Sequence, residues 1–214
     1  MPPDHISIRQ ARESDIPGIL EIYNDAILNT TALYTYEPFT LKMMQQWFSE
    51  KAAKNFPVFI AEAPASAAAK TSTGKSNPAA GNASSAESNL AIAKAEPGQA
   101  APPTVAGFAS YGPFRPWPAY KYSVEHSIYV NKDQRGKGIA KKLLRTLIDH
   151  ATNANLHTIV AGIDSQNDVS INLHRQLGFK ETGQIAQVGY KFGRWLDLVF
   201  MQLILENNLQ PNEK

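Results

Sequence analysis

The chain contains no cysteine, which excludes disulfides, thiolate metal sites and cysteine nucleophiles and makes a reducing compartment the natural expectation. It has no run approaching the ~18 consecutive apolar residues of a spanning helix. Residues Met1 to Gln10 show neither a basic segment nor an apolar stretch for export. A cytoplasmic protein without a membrane partner is therefore expected. Charge of one sign is also nearly missing. The formal net charge is +2 over 214 residues, too small to steer the whole molecule to nucleic acid or anionic lipid. Any basic function must be local.

What is present is ordinary globular composition, 43% hydrophobic and 19% charged, in a length suited to one enlarged domain. The expected domain spans 1–214 with a core over about 5–206. Between about 64 and 103, Ala, Ser, Gly, Pro, Asn and Lys dominate and aromatics vanish. Such a stretch buries too little apolar area to offset its ordering entropy, so it reads as a flexible insertion, with a brief strand at Leu90, Ile92 and Ala93. Strand-like segments flank it at 57–62 and 105–111. Upstream, a short strand over 6–9 precedes a helix capped near Ser14, and a second helix should follow Thr40. Downstream, 121–130 alternates: Val124, His126, Ile128 and Val130 share one face, and Ser123, Glu125, Ser127 and Tyr129 share the other. The clearest helix follows, with Ile139, Leu143, Leu144, Leu147, Ile148 and Ala151 on one side. A strand over 157–163, a helix over 169–177 stopped by Gly178, and strands over 179–188 and 195–205 complete a mixed α+β pattern.

Between the alternating strand and the clear helix lies Gln134-Arg135-Gly136-Lys137-Gly138-Ile139-Ala140. Two glycines allow a tight turn that aims several N–H groups at one point, and the helix N-terminus, Arg135 and Lys137 add positive charge. A pyrophosphate fits there; a glycine-rich turn with solvated Lys and Arg is the alternative reading. The spacing matches neither the P-loop nor the dinucleotide fingerprint. Asn167 and Asp168 are good helix caps. Glu125 sits on the central strand opposite Val124, Ile128 and Val130, and a carboxylate there can take a proton from an amine.

The chain resembles the GNAT superfamily of N-acetyltransferases, whose acyl-CoA turn reads Arg/Gln-x-x-Gly-x-Gly/Ala, matched by Arg135, Gly138 and Ala140. A second block is matched by Asn167, Ser170, His174 and Gly178-Phe179. Ser123-Val124-Glu125, Leu173-His174 and the segment from Gly189 to Asp197 are similar to the phosphinothricin branch, especially its members acting on methionine sulfoximine and methionine sulfone. The resemblance implies a central, mostly antiparallel twisted sheet with a splayed strand pair at the CoA site, flanked by helices. It implies direct transfer of acetyl from acetyl-CoA, with no metal, to the α-amino group of a small amino-acid-like acceptor in a detoxifying enzyme. It assigns Glu125 as base or amine contact and His174 as the group protonating the thiolate. Expected cofactor contacts are the backbone of Ile128, Tyr129 and Val130, the turn from Arg135, Gly136, Lys137, Gly138, Ile139 and Ala140 to Lys141, and Asn167 and Ser170 on the pantetheine. The expected acceptor pocket combines Glu125 with Arg115, Tyr120 and Lys121 of the Pro-rich loop and Tyr36 opposite. Where phosphinothricin enzymes often carry a second basic residue, this chain has Trp117, which favours a less anionic methionine derivative. A homodimer is expected, and no nucleic acid. Two rivals are a silent acyl-CoA-binding sensor and a nucleic-acid module using Lys132, Arg135, Lys137, Lys141, Lys142 and Arg145.

Overall fold

The structure, a computed structural model, describes residues 6–63, 104–207 and 210–212. The 64–103 insertion, with its expected strand at Leu90 to Ala93, lies outside the described residues. The chain runs β1 (Ser7–Gln10), α1 (Ile16–Asn29), α2 (Leu41–Ala53), β2 (Val58–Ala63), β3 (Thr104–Pro113), β4 (Ser123–Val130), α3 (Ile139–Asn153), β5 (Thr158–Asp164), α4 (Asp168–Gln176), β6 (Lys180–Lys191) and β7 (Arg194–Ile204). Among the described residues the strands form one sheet of order β1-β2-β3-β4-β5-β7-β6. Each neighbouring pair is antiparallel except β4 and β5.

Two cores lie on opposite faces of this sheet. The apolar stripe of α3, with Leu143, Leu144 and Leu147 fully buried, packs with Val124, Ile159, Ala161 and Met201 on one face. On the other, Ile19 and Ile22 of α1 and Met44 of α2 cover Ile60, Phe108 and Tyr129. The second face of β4 is therefore not simply polar: Tyr129 is buried against α1, its ring edge-on to Tyr23 at 5.4 Å. The α1/α2 cover stops at β4. Val160, Phe200 and Gln202 on the same side of β5 and β7 line an open groove instead.

The start of α1 differs from expectation. Ser14 lies in a 3-10 turn, Glu13–Asp15, and Asp15 stands at the cap position. Its carboxylate accepts from Arg9 at 2.7 and 2.9 Å and from the Arg12 N–H at 2.7 Å. Arg9 also reaches Glu62 at 2.7 Å, so one guanidinium joins β1, β2 and the head of α1. Two carboxylates make better use of a planar donor fork than a serine cap would.

The far end of α1 is fixed by Lys191, only 3% exposed. Its ammonium donates to the carbonyls of Ile27, Thr30 and Leu33 at 2.6, 2.9 and 2.7 Å, matching three donors to three acceptors at a helix C-terminus. Burial pushes its pKa down. Next to it, Phe192 and Gly193 both have positive φ, 51° and 74°, in a two-residue turn of the primed type that matches strand twist. The β6–β7 hairpin tip is thus held against the α1–α2 connection. Lys191→Met should lower unfolding stability by about 2–4 kcal/mol, because three carbonyls lose their donor while apolar bulk is kept. Chemical denaturation measures this; a change below about 0.5 kcal/mol, the scatter of ordinary surface substitutions, would show that the ammonium is not a tie.

Candidate active site

The glycine turn follows the end of β4. Gly136 and Gly138 have φ of 80° and 73°, and Gly138 is the N-cap of α3. A Cβ on either would meet nothing within 4 Å, so the turn faces open space and its glycines answer to backbone conformation. The Ile139 side chain is buried in the core, leaving its backbone N–H for the turn. Lys137 donates to Gln134 at 2.8 Å, Lys141 to Gln176 at 3.2 Å, and Arg135 lies 3.9 Å from Asp25. These are light surface ties that an anion can replace.

Beside the turn the sheet opens. β4 pairs with β5 only at Ser123↔Thr158, Val124↔Ile159 and Glu125↔Val160. On its other side β4 stays paired with β3 as far as Gly107↔Val130. From His126 onward, β4 therefore presents an edge without a strand partner on the β5 side among the described residues, including Ile128, Tyr129 and Val130. Such an edge accepts an extended, amide-bearing ligand. Asn167 and Ser170 begin α4, which follows β5. Asn167 Oδ1 caps the helix by accepting from the Ser170 N–H at 3.1 Å.

Glu125 stands at the vertex of that opening. Its Oε2 lies 3.9 Å from Arg115 Nη1. Burial raises its pKa, and the nearby guanidinium offsets this only in part. Arg115 is anchored by its bond to the Phe114 carbonyl at 2.7 Å and lies over the Phe114 ring. Phe114, Arg115, Val160, Phe200, Thr182 and Gln202 line a groove of about 290 Å³. The other expected acceptor residues spread out. Tyr36 donates through its hydroxyl to the Tyr190 carbonyl on the hairpin. Tyr120 packs edge-on to Phe114, while Lys121 donates to Asn212 at 3.1 Å and lies over the Tyr122 ring. Arg115 and Glu125 converge; Tyr120 and Lys121 serve the loop, and Tyr36 serves the wall opposite.

His174 is 3% exposed and lies against His126, which is on the β4 face opposite Glu125. The two Nε2 atoms are 3.0 Å apart, and His174 Nδ1 is 2.7 Å from the Ser170 carbonyl. That carbonyl can only accept, so Nδ1 of His174 carries the proton and its Nε2 accepts from His126. Burial and the neighbouring ring push His126 down to about 3; burial lowers His174, partly offset by the Ser170 carbonyl. The pair is therefore neutral at pH 7. In this arrangement His174 Nε2 is an acceptor rather than a donor.

The chain matches the Acetyltransferase (GNAT) family over residues 73–179. It is 44% identical over 200 residues to the L-methionine sulfoximine/L-methionine sulfone acetyltransferase of Pseudomonas aeruginosa, covering 94% of this chain and 95% of that protein. The chain belongs to the GNAT acetyltransferase family. In structure it is similar to yncA of Salmonella typhimurium with its cofactor acetyl-CoA, at TM-score 0.76 and 36% identity over 98% of this chain and 99% of that one. A phosphinothricin acetyltransferase from Sinorhizobium meliloti in complex with acetyl-CoA gives 0.75 and 30%, over 97% and 94%.

For a GNAT acetyltransferase, acetyl-CoA is the co-substrate, and the turn and the open β4 edge are chemically suited to its pyrophosphate and its pantetheine amides. Residues missed from sequence include Val160, Gly162, Thr182, Phe200 and Gln202. They lie on strands whose pairing no local pattern specifies; the glycine in an otherwise apolar strand was the one available signal. Gly138→Val should weaken acetyl-CoA binding roughly tenfold or more, because a branched residue resists the left-handed conformation that aims the turn's N–H groups. Calorimetry reads it; unchanged affinity in a folded variant would contradict the turn assignment.

Proposed function

We propose that this GNAT acetyltransferase acetylates the α-amino group of a small amino acid of the methionine sulfone or sulfoximine type, with Glu125 as the base. The observation that carries the reading is a half-buried carboxylate at the point where β4 and β5 part, next to Arg115 and Val160, which line an open groove. An acceptor arrives as an ammonium and must lose a proton before attack. A carboxylate with a raised pKa is a stronger base than an exposed one. Arg115 suits an α-carboxylate, and Trp117, 69% exposed where a second cation would favour a phosphinate, supports the methionine derivative. The neutral nitrogen then attacks the thioester carbonyl directly, held in a ternary complex, and the CoA thiolate departs.

His174 remains the candidate on the leaving-group side. Its Nε2 is an acceptor at neutral pH, so protonating the thiolate through it requires another proton on the pair, drawn from solvent. Pantetheine contacts from the Ile128 to Val130 backbone and from Asn167 and Ser170 belong to the same reading. So does a cytoplasmic homodimer. The edge strand β6 is exposed along nearly its whole length and carries Ile185, Val188 and Tyr190, with Phe192 and Trp195 beside them. A long apolar edge of this kind is usually covered by a second chain.

Glu125→Gln should lower turnover on methionine sulfone roughly a hundredfold, the scale of lost general-base help, while acetyl-CoA affinity stays near wild type. As pH falls through the raised Glu125 pKa the carboxylate gains a proton and the base is lost. The wild-type acidic limb of kcat/KM should therefore lie above the ordinary glutamate value of ~4.3. In the variant that limb should flatten, with high pH partly restoring the rate. Wild-type kcat/KM with an unaltered pH profile would overturn the assignment.

A further inference from the structure

Gly162 has no conformational reason to be glycine. It lies inside β5, its φ is outside the left-handed range, and it is exposed on the Glu125 side of the sheet. Glycine at such a place weakens a strand by about 0.5–1 kcal/mol relative to alanine and often marks a close approach. Gly107 in β3 makes a useful contrast. A Cβ there would meet the Tyr129 carbonyl at 2.9 Å and Ile139 at 3.2 Å, so the packing of the sheet against α3 requires its absence. At Gly162 the first atom met is Glu125 Oε1, at 3.3 Å; Leu198 follows at 3.4 Å and Phe200 at 3.8 Å, both ordinary contacts. The group that a methyl would displace is the carboxylate.

We infer that Gly162 is a positioning residue for acetyl transfer: its bare backbone seats the Glu125 carboxylate and leaves free the space in which the acceptor amine meets it. The inference rests on the reading of Glu125 as the base. β5 supplies four residues to this side, Thr158, Val160, Gly162 and Asp164. Val160 pairs with Glu125 and floors the groove, and Asp164 is engaged by Arg194 at 2.9 Å. The glycine between them is the position over which Glu125 leans. An alanine would move the carboxylate by a few tenths of an ångström, and misplacements below 1 Å already cost rate when a proton must be taken along a short hydrogen bond.

A double-substitution cycle on the full chain tests this. Gly162→Ala should lower kcat toward methionine sulfone roughly tenfold, leave acetyl-CoA affinity unchanged by calorimetry, and leave the melting temperature equal or higher. Glu125→Asp withdraws the carboxylate by one methylene, so adding Gly162→Ala to it should cost less than about threefold more, a clear departure from additivity. An unchanged kcat in Gly162→Ala would overturn the inference. So would the same loss in both backgrounds, which would trace the effect to Leu198 and Phe200. If Glu125→Gln were fully active, the base itself would be misassigned, a separate failure visible without any change at Gly162.

Discussion

Strand β4 is eight residues long, yet it pairs with β5 over three of them. Unpaired backbone groups inside a sheet are costly unless something else bonds them, so this early parting of two central strands is the constraint on which the rest of the site depends. It leaves one β4 edge open beside the head of α3, where the glycine turn aims its N–H groups. It also places Glu125, the last residue paired with β5, at that opening. The proposed cofactor edge and acceptor groove share this vertex.

A vertex is useful only if the surrounding walls are fixed. Lys191 ties the β6–β7 hairpin to three carbonyls at the end of α1, and Arg9 ties the first two strands to its beginning. Between these ties, Tyr34 lies over Gly189, where a Cβ would come within 2.5 Å of the ring. Arg194 from the same hairpin holds Asp164. Burial would raise that carboxyl, but Thr31, the Gln166 N–H and Arg194 outweigh it and keep it below the usual range. These contacts join the connection after α1 to the C-terminal hairpin.

Much of this was legible because it is local. The apolar stripe of α3, the Gly136/Gly138 turn, the alternation through β4 and the Gly178 stop are all written within one or two turns of chain. Glu125 could be picked out because a charged residue interrupts a central strand. The remainder depends on residues far apart in sequence. His126 and His174 are separated by 48 positions and meet only where α4 packs on β4, so no local pattern shows their contact. Lys191 had no role that could be read from sequence, since no local pattern shows that three carbonyls await it. The closeness of Gly162 to Glu125 appears only with the register of β4 on β5.

The proposed acetyl transfer requires the acceptor amine to meet Glu125 at the parting of β4 and β5. A crystal structure of the protein with CoA and methionine sulfone tests this most directly. The predicted result is an amine nitrogen within ~2.6–3.2 Å of a Glu125 oxygen, or one water away, on the Gly162 side of the sheet with CoA along the free β4 edge. An acceptor bound on the His126–His174 face, with Glu125 touching neither the amine nor a bridging water, would contradict it.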